Sequence, residues 1–294
     1  MRTLLLWLVV TSAAFSAIAP SFGQETQPRI AVMETAFKKF ADVTSFQDAK
    51  EAGYHAIQMH SGMPVEIRKK PIDPTLSLQI GQDPAIVESW HQASQHHGVQ
   101  IISLCAGSLN KCQIWDKDRE VAMRIAKQTI DACHALGATR MLFPFFGPSD
   151  FQTSDVAFDG VADFMRELLP YAKLKGVVIG IEAPVTTDRV LELLRTLEFP
   201  SHLKIYYDTG NLFAKEDIYE TIRRHGRQHF CEIHIKPAGG PIFGEDQIDV
   251  AKLAQALDAA SYDGWLVYES SREGKDPVAN RKGIEKLISL RAKK

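Results

Sequence analysis

The chain has 294 residues, of which 45% are hydrophobic and 24% are charged, and its formal net charge is −2 at pH 7. Acidic and basic residues are interspersed, so the sequence predicts no basic face and argues against nucleic acid as a partner. A body of about 270 residues suits one large α/β barrel or two small domains.

The first 24 residues have the layout of a cleaved secretory signal peptide. Arg2 precedes the apolar run 4–19, and small and polar residues follow around Gly23. A membrane anchor is the alternative, because the run is only slightly shorter than the about 20 apolar residues that span a bilayer. We favour cleavage, and we expect a signal peptide over 1–24, one domain over 25–294, a secreted or periplasmic location and no stable membrane insertion.

Short apolar runs rich in Val, Ile, Leu and aromatic residues predict the strands of the body. Most runs are continuous rather than alternating, as expected for parallel strands that are buried on both faces. The predicted strands are residues 29–35, 56–60, 99–106, 140–146, 177–183, 204–210, 231–236 and 265–270.

Amphipathic stretches between the strands predict helices, most clearly at 119–137, 161–176 and 250–264. The polar stretch 61–84 is predicted to be a loop over the active face. Alternation of strands and helices over this length predicts a single-domain (β/α)8 TIM barrel. A doubly wound sheet is the alternative, but no GxGxxG follows the first strand. Glycines before the next strand fit helix C-caps: Gly53, Gly98, Gly137, Gly176 and Gly264.

Four successive predicted strands end in a side chain that can bind a metal: Glu182, Asp208, His234 and Glu269. The C-terminal strand ends form the active face of such barrels. One strand-end carboxylate is more often a helix cap or an ion-pair partner, and one strand histidine is more often a core residue. Four together favour a site for a divalent cation, because burying several carboxylates without a cation is very costly.

The segments IGIEAP, YYDTGNLF, EIHIKP and WLVYES resemble the metal-bearing strands of the xylose-isomerase-like barrels, the sugar isomerase/epimerase superfamily. The resemblance is specific over 177–270, and the spacings among Asp208, His234 and Glu269 agree with the ketose 3-epimerase branch. It implies one Mn²⁺, Mg²⁺, Co²⁺ or Zn²⁺ ion held by the four residues. It also implies that Glu182 and Glu269 move a proton beside the carbonyl of a sugar.

The chemistry has a physical basis that does not depend on the resemblance. A divalent ion on a carbonyl oxygen stabilises the enediolate that forms when the neighbouring carbon loses its proton. Two carboxylates can then remove and return the proton if their pKa values are tuned toward the working pH.

Further residues are predicted to bind the carbohydrate. Glu34 and His60 end the first two strands, and Trp115 could supply an apolar wall, as could Phe145 and Phe146, for which core packing is favoured. Gln58 either lines the pocket or faces the helices.

Two residues near the predicted ligands are also assigned to the substrate. Asn211 stands where many relatives carry a histidine, and it either bonds substrate or caps a helix. Lys236 lies on the same strand face as His234 and either neutralises an oxyanion, pairs with Glu269 or is exposed. The segment 236–240 departs from the Lys-Asp-basic continuation of many relatives, which argues against simple ketose epimerisation.

Three functions remain open. The favoured one is a metal-dependent isomerase or epimerase of a sugar or keto-sugar. A lyase or hydratase that eliminates a β-substituent from a keto-sugar or 3-keto-glycoside is the alternative, because exported enzymes meet glycosides. A non-catalytic carbohydrate-binding barrel is third, and a repair nuclease is disfavoured because its three zinc ions need more histidines.

The expected partner is therefore a small carbohydrate, and a homo-oligomer is left open. For a chain of this size, buried thiols are favoured over disulfides. The cysteines concerned are Cys105, Cys112, Cys133 and Cys231.

Overall fold

The computed structural model describes residues 29–62, 80, 83–270 and 275–291. The predicted signal peptide, residues 1–24, lies outside the described residues, and so does most of the predicted loop 61–84. The described chain forms a closed barrel of eight parallel strands in sequential order. The strands are β1 (Ile30–Met33), β2 (Ala56–His60), β3 (Gln100–Cys105), β4 (Arg140–Pro144), β5 (Val178–Glu182), β6 (Leu203–Asp208), β7 (Phe230–Ile235) and β8 (Trp265–Tyr268).

Helices follow the strands around the barrel and cover its outer face. In the described ranges they are α1 (Ser45–Glu51), α2 (Pro84–His97), α3 (Arg119–Leu136), α4 (Asp155–Lys175), α5 (Thr187–Thr196), α6 (Thr209–Leu212), α7 (Ile218–His229), α8 (Val250–Ala259) and α9 (Pro277–Arg291). Short 3₁₀ turns occupy Glu34–Phe37, Gly107–Lys111 and Gly147–Ser149. None of these helices combines the length and apolar character needed to cross a bilayer. The predicted (β/α)8 TIM barrel is therefore confirmed.

The observed helix ends agree with the predicted ones in α3 and differ from them in α4 and α8. Helix α3 ends as predicted, with Gly137 at its C-cap at φ 72°. Helix α4 begins before residue 161, at Asp155, because the Ser154 hydroxyl accepts a hydrogen bond from the Ala157 N–H at 3.1 Å. Helix α8 ends at Ala259, short of the predicted residue 264.

Four of the five predicted C-cap glycines have the expected left-handed backbone, which glycine adopts without strain. Gly264 does not, so the prediction of a C-cap there is wrong. An added Cβ at Gly264 would lie 2.4 Å from the Tyr262 hydroxyl oxygen, so this glycine provides room rather than a turn.

The strand residues divide between two apolar clusters. One cluster joins the barrel to its helices, and a smaller one gathers alternate strand residues such as Ala31, Leu142, Tyr206 and Val267. This alternation follows from the period of two in a strand. The small cluster shares the barrel interior with buried polar side chains. All four cysteines are buried free thiols.

Candidate metal and carbohydrate site

Three carboxylates and one imidazole meet at the C-terminal end of the barrel. Their ligand atoms all lie within 4.8 Å of one another. From His234 Nδ1, Glu269 Oε2 is at 2.9 Å, while Glu182 Oε1 and Asp208 Oδ2 are both at 3.8 Å. The structure therefore brings together the four residues that the sequence singled out as metal ligands.

The cluster has the properties of a cation site. His234 Nδ1 and Glu269 Oε2 are buried and make no hydrogen bond within the described residues. Buried polar atoms normally have a partner, because an unsatisfied one is costly. Carboxylate oxygens and one imidazole nitrogen suit Mg²⁺, Mn²⁺, Co²⁺ or Zn²⁺. These residues therefore fit a divalent cation.

Gln58 fixes the orientation of the His234 ring by a contact to Nε2, the ring nitrogen that faces away from the carboxylates. Its Oε1 lies 2.9 Å from His234 Nε2, and an amide oxygen can only accept, so Nε2 carries the hydrogen. Nδ1 is then the nitrogen that faces the carboxylates, which raise the pKa of the ring against the effect of burial. Loss of the Nδ1 proton would free its lone pair to bind a metal. The Gln58 amide nitrogen donates to the Tyr206 hydroxyl at 2.8 Å and to the Ser103 hydroxyl at 3.0 Å, which holds the amide in this orientation.

The buried network continues away from the metal cluster. Ser103 donates to Glu232 Oε2 at 2.8 Å, and Arg140 Nε lies 3.6 Å from Glu232 Oε1. Burial raises the pKa of Glu232, and Arg140 opposes that effect. His234 is thus supported by a chain of polar contacts through the barrel interior.

Asn211 and Lys236 hold the carboxylates in place. The Asn211 side-chain amide donates to Asp208 Oδ2 at 2.8 Å and to Glu182 Oε1 at 3.2 Å. Lys236 Nζ donates to Glu269 Oε1 at 3.0 Å and lies 3.6 Å from Asp208 Oδ2. The helix cap considered for Asn211 is made by Asp208, which accepts from the Asn211 N–H at 2.7 Å.

The pKa values of Asp208, Glu269 and Lys236 shift in different directions or for different reasons. Burial raises the pKa of Asp208 to about 7, although Lys236 opposes it. Burial also raises the pKa of Glu269, but the neighbouring His234 and Lys236 have a larger opposite effect and hold the pKa of this carboxyl below its usual range. For Lys236, burial lowers the pKa, and the carboxylates of the cluster more than compensate and raise it. The lysine is therefore a cation beside the cluster.

A cavity of about 820 Å³ opens above the cluster and is large enough for a sugar. Glu182, Glu269, Asn211 and Lys236 line one side of it. His60, Cys105 and Gly107 line another part of the wall, and aromatic rings complete it: Phe40, Phe146 and Phe213. Such rings suit the apolar C–H faces of a carbohydrate.

The family model described as a xylose isomerase-like TIM barrel matches residues 46–290. The chain belongs to this family. Solved structures with a similar fold include a 3-keto-D-glucoside 4-epimerase from E. coli, which is 18% identical with a TM-score of 0.68 over 90% of this chain and 100% of that one. An L-ribulose 3-epimerase is 18% identical with a TM-score of 0.71 over 91% and 97%. These likenesses confirm the fold.

One curated relative matches part of the xylose isomerase-like barrel. It is an inosose dehydratase of Geobacillus thermodenitrificans (strain NG80-2), 26% identical over 164 residues. The match covers 46% of this chain and 53% of the relative, so the chain spans about half the length of that protein.

Within this family barrel, two of the predicted pocket residues do not line the cavity. Glu34 is fully buried, and its carboxylate is turned toward His60 and the backbone. Trp115 packs against the core, and an added Cβ at Gly160 of α4 would lie 2.3 Å from its Cβ. Both predictions of a direct sugar contact are therefore corrected, because each side chain is engaged elsewhere.

Other parts of the pocket prediction are resolved by the structure. His60 lines the cavity. Phe146 does so as well, whereas Phe145 is in the core, stacked on Phe143 with ring centroids 4.7 Å apart. Sequence reasoning missed Phe40 and Phe213 and the role of Gln58. Only the spacing of Gln58, two residues before His60 on β2, indicated a shared strand face.

Proposed function

We propose that the protein is a divalent-metal-dependent isomerase or epimerase that moves a proton beside the carbonyl of a sugar or keto-sugar. The observation that carries this proposal is the cluster of four ligands, three buried and one half-buried, two of which line a cavity of sugar size. Glu182, Asp208, His234 and Glu269 would hold the cation. When bound, the cation would stabilise negative charge on the carbonyl oxygen as the neighbouring proton leaves.

The two glutamates are suited to proton transfer. Glu182 ends β5 and Glu269 follows β8, so two other strands separate them and they reach the cluster from different directions. Asn211 orients Glu182, and Lys236 orients Glu269. One carboxylate can remove the proton while the other returns one to the opposite face, which inverts that carbon.

Elimination is the second candidate function. The same proton removal leads to loss of a substituent when the next carbon carries an oxygen leaving group. One structural observation favours it: the His60 imidazole faces the cavity and is bonded to Glu34. The matched relative is a dehydratase, which is consistent with this chemistry.

Deuterium exchange tests the proposal directly. The Mg²⁺-loaded protein is incubated in D₂O with free sugars, keto-sugars and 3-keto-glycosides, and the products are followed by NMR. We expect deuterium at a carbon beside the carbonyl, together with a new isomer or epimer. Released aglycone or lost water would indicate elimination. Absence of exchange across the panel, with bound metal verified by elemental analysis, would favour a non-catalytic binding barrel.

We also propose that the protein is exported, on the basis of the signal peptide predicted over residues 1–24. Amino-terminal sequencing of the protein from the secreted or periplasmic fraction of its host is expected to begin near residue 25. Full-length protein in the membrane fraction would instead support an anchor.

A further inference from the structure

A second group of chemically capable side chains lies at the ends of the first three strands. Glu34 follows β1, His60 ends β2 and Cys105 ends β3. In a closed barrel of eight strands, strands four apart in order face each other, so β2 faces β6 and β3 faces β7. His60 and Cys105 therefore meet the cavity from the side opposite Asp208 and His234.

Glu34 is held rigidly by the backbone around it. Its Oε1 accepts from the N–H groups of Ala41 and His60 at 2.7 Å each, and its Oε2 accepts from the Asp42 N–H at 3.3 Å. The same Oε1 lies 3.0 Å from His60 Nδ1. Because a carboxylate accepts here, Nδ1 carries the hydrogen, and Nε2 is the nitrogen that can exchange a proton with a ligand.

The Nε2 edge of His60 lies between the Cys105 thiol, which hydrogen-bonds to the ring, and Gly107, whose missing Cβ leaves room. A Cβ added at Gly107 would lie 3.3 Å from Nε2 and 3.0 Å from Cδ2 of His60. The backbone of Gly107 is not left-handed, so the glycine is needed for room and not for conformation. Phe40 packs on the ring, with centroids 4.4 Å apart, and keeps it in place. A ligand atom can therefore approach Nε2 from the cavity.

The surroundings favour the protonated imidazole. Burial lowers the pKa of His60, but the neighbouring Cys105 and the hydrogen-bonded Glu34 outweigh burial and raise it to about 10. When the ring is protonated, Nε2 is a hydrogen donor. Epimerisation has no use for such a donor, because Glu182 and Glu269 suffice to remove and return one carbon-bound proton. A donor on the opposite wall of the cavity can instead serve a C–O bond that breaks on that side.

We propose that His60 is the acid that protonates an oxygen leaving group on the carbon β to the carbonyl of a bound keto-sugar or keto-glycoside. This inference rests on the proposed function of the metal site. A glutamate removes the proton on the α-carbon, and that electron pair forms the C=C bond. The β-carbon–oxygen bond breaks with its electron pair on oxygen, and His60 Nε2 gives that oxygen its proton. His60 becomes neutral, and Glu34 acts as a positioning residue.

Leaving-group dependence tests this role. The substrates are methyl and 4-nitrophenyl 3-keto-glucosides, whose ring carbon beside the carbonyl also carries the exchangeable hydrogen. In His60→Gln we expect release of methanol to fall by about 10²–10⁴-fold, the usual contribution of general acid catalysis. Release of 4-nitrophenolate, a stable anion, should fall much less. Deuterium exchange beside the carbonyl should continue, because it needs only the metal-site carboxylates.

Two further variants guard against a folding artefact. Gly107→Ala keeps His60 but covers its Nε2 edge, so it should show the same selective loss with the methyl substrate. His96→Gln changes an exposed histidine on α2 outside the cavity and should match the wild type. Thermal melting checks that each variant is folded.

The outcomes separate this inference from the proposed function. Equal losses with both leaving groups would make His60 a binding residue and overturn the inference. Exchange by the wild type without release of either aglycone would also overturn it, while the epimerase proposal would stand. No exchange by the metal-loaded wild type would overturn both.

Discussion

The two sides of the barrel mouth are built on different physical principles. On the β5–β8 side, Glu182, Asp208 and Glu269 converge on His234 within ion-pair distance. Two of the facing atoms, His234 Nδ1 and Glu269 Oε2, have no hydrogen-bond partner in the part of the chain that the structure describes. On the β1–β3 side, every acceptor atom of Glu34 is bonded to a backbone N–H or to His60. The β5–β8 side therefore lacks hydrogen bonds that a bound cation could replace, whereas the hydrogen bonds of Glu34 on the β1–β3 side are complete.

This difference indicates that the β5–β8 side contributes to ligand binding and the β1–β3 side to the stability of the fold. Clustered carboxylates repel one another and lose hydration, so we expect the β5–β8 side to oppose folding when no cation is bound. The hydrogen-bonded carboxylate of Glu34 supports the native backbone instead. Substitutions on the two sides should therefore separate metal binding and turnover from stability.

The largest effect is expected from His234→Ala. This change removes the one nitrogen ligand, so bound metal should fall to background after dialysis, and activity should fall with it. Elemental analysis measures the metal, and circular dichroism checks the fold. The matched control is His134→Ala on the exposed face of α3, which should retain full metal content. Unchanged stoichiometry in His234→Ala would break the proposed quartet.

Glu182→Gln should separate turnover from stability. The amide cannot take a proton, so deuterium exchange at saturating metal should fall by about 10²–10⁴-fold. Because the substitution removes one of several clustered negative charges, the melting temperature of the metal-free protein should not decrease. Wild-type exchange rates would remove Glu182 from the mechanism, and a large loss of stability would contradict the description of this side as incomplete.

Gln58→Met should weaken metal binding without removing a ligand. Methionine has a similar volume but cannot accept the His234 Nε2 hydrogen, so the ring loses the contact that presents Nδ1 to the cation. Loss of such a supporting contact typically costs 10–100-fold in metal affinity. Calorimetric titration measures the affinity, and ¹⁵N NMR of the metal-free protein reads the histidine tautomer. The Ser103→Ala variant, which keeps the Gln58–His234 contact, should lose less affinity; an equal loss would indicate a general effect of the network.

The sequence predicts the β5–β8 side better than the β1–β3 side for a geometric reason. A ligand at the end of an apolar strand faces the barrel mouth directly, so Glu182, Asp208 and Glu269 could be recognised one by one. Glu34 instead begins a 3₁₀ turn, and its side chain leaves the strand direction and points to the backbone at Ala41. No pattern along the chain encodes that turn.

Long-range contacts are the other part that the sequence does not reveal. The period of two places Gln58 and His234 inside the barrel, but β2 and β7 are not adjacent, and only the closed structure brings them within 2.9 Å. The start of α4 is a second feature that the sequence alone does not reveal, although the residues concerned are close in the chain. The predicted helix began after Gly160, yet that glycine lies inside α4, where it makes room for Trp115.

Glu34→Gln tests the satisfied side and should have the smallest but most informative effect. The glutamine amide group would place a donor against the Asp42 N–H or the His60 Nδ1–H, so one buried donor would lose its partner. That loss should lower the free energy of unfolding by about 1–3 kcal/mol, measured by urea denaturation. Metal affinity should stay unchanged, because Glu34 does not touch the quartet. Glu51→Gln on the exposed face of α1 is the control and should change stability by less than about 0.5 kcal/mol. If Glu34→Gln weakened metal binding and left stability intact, the two sides of the mouth would not be distinct.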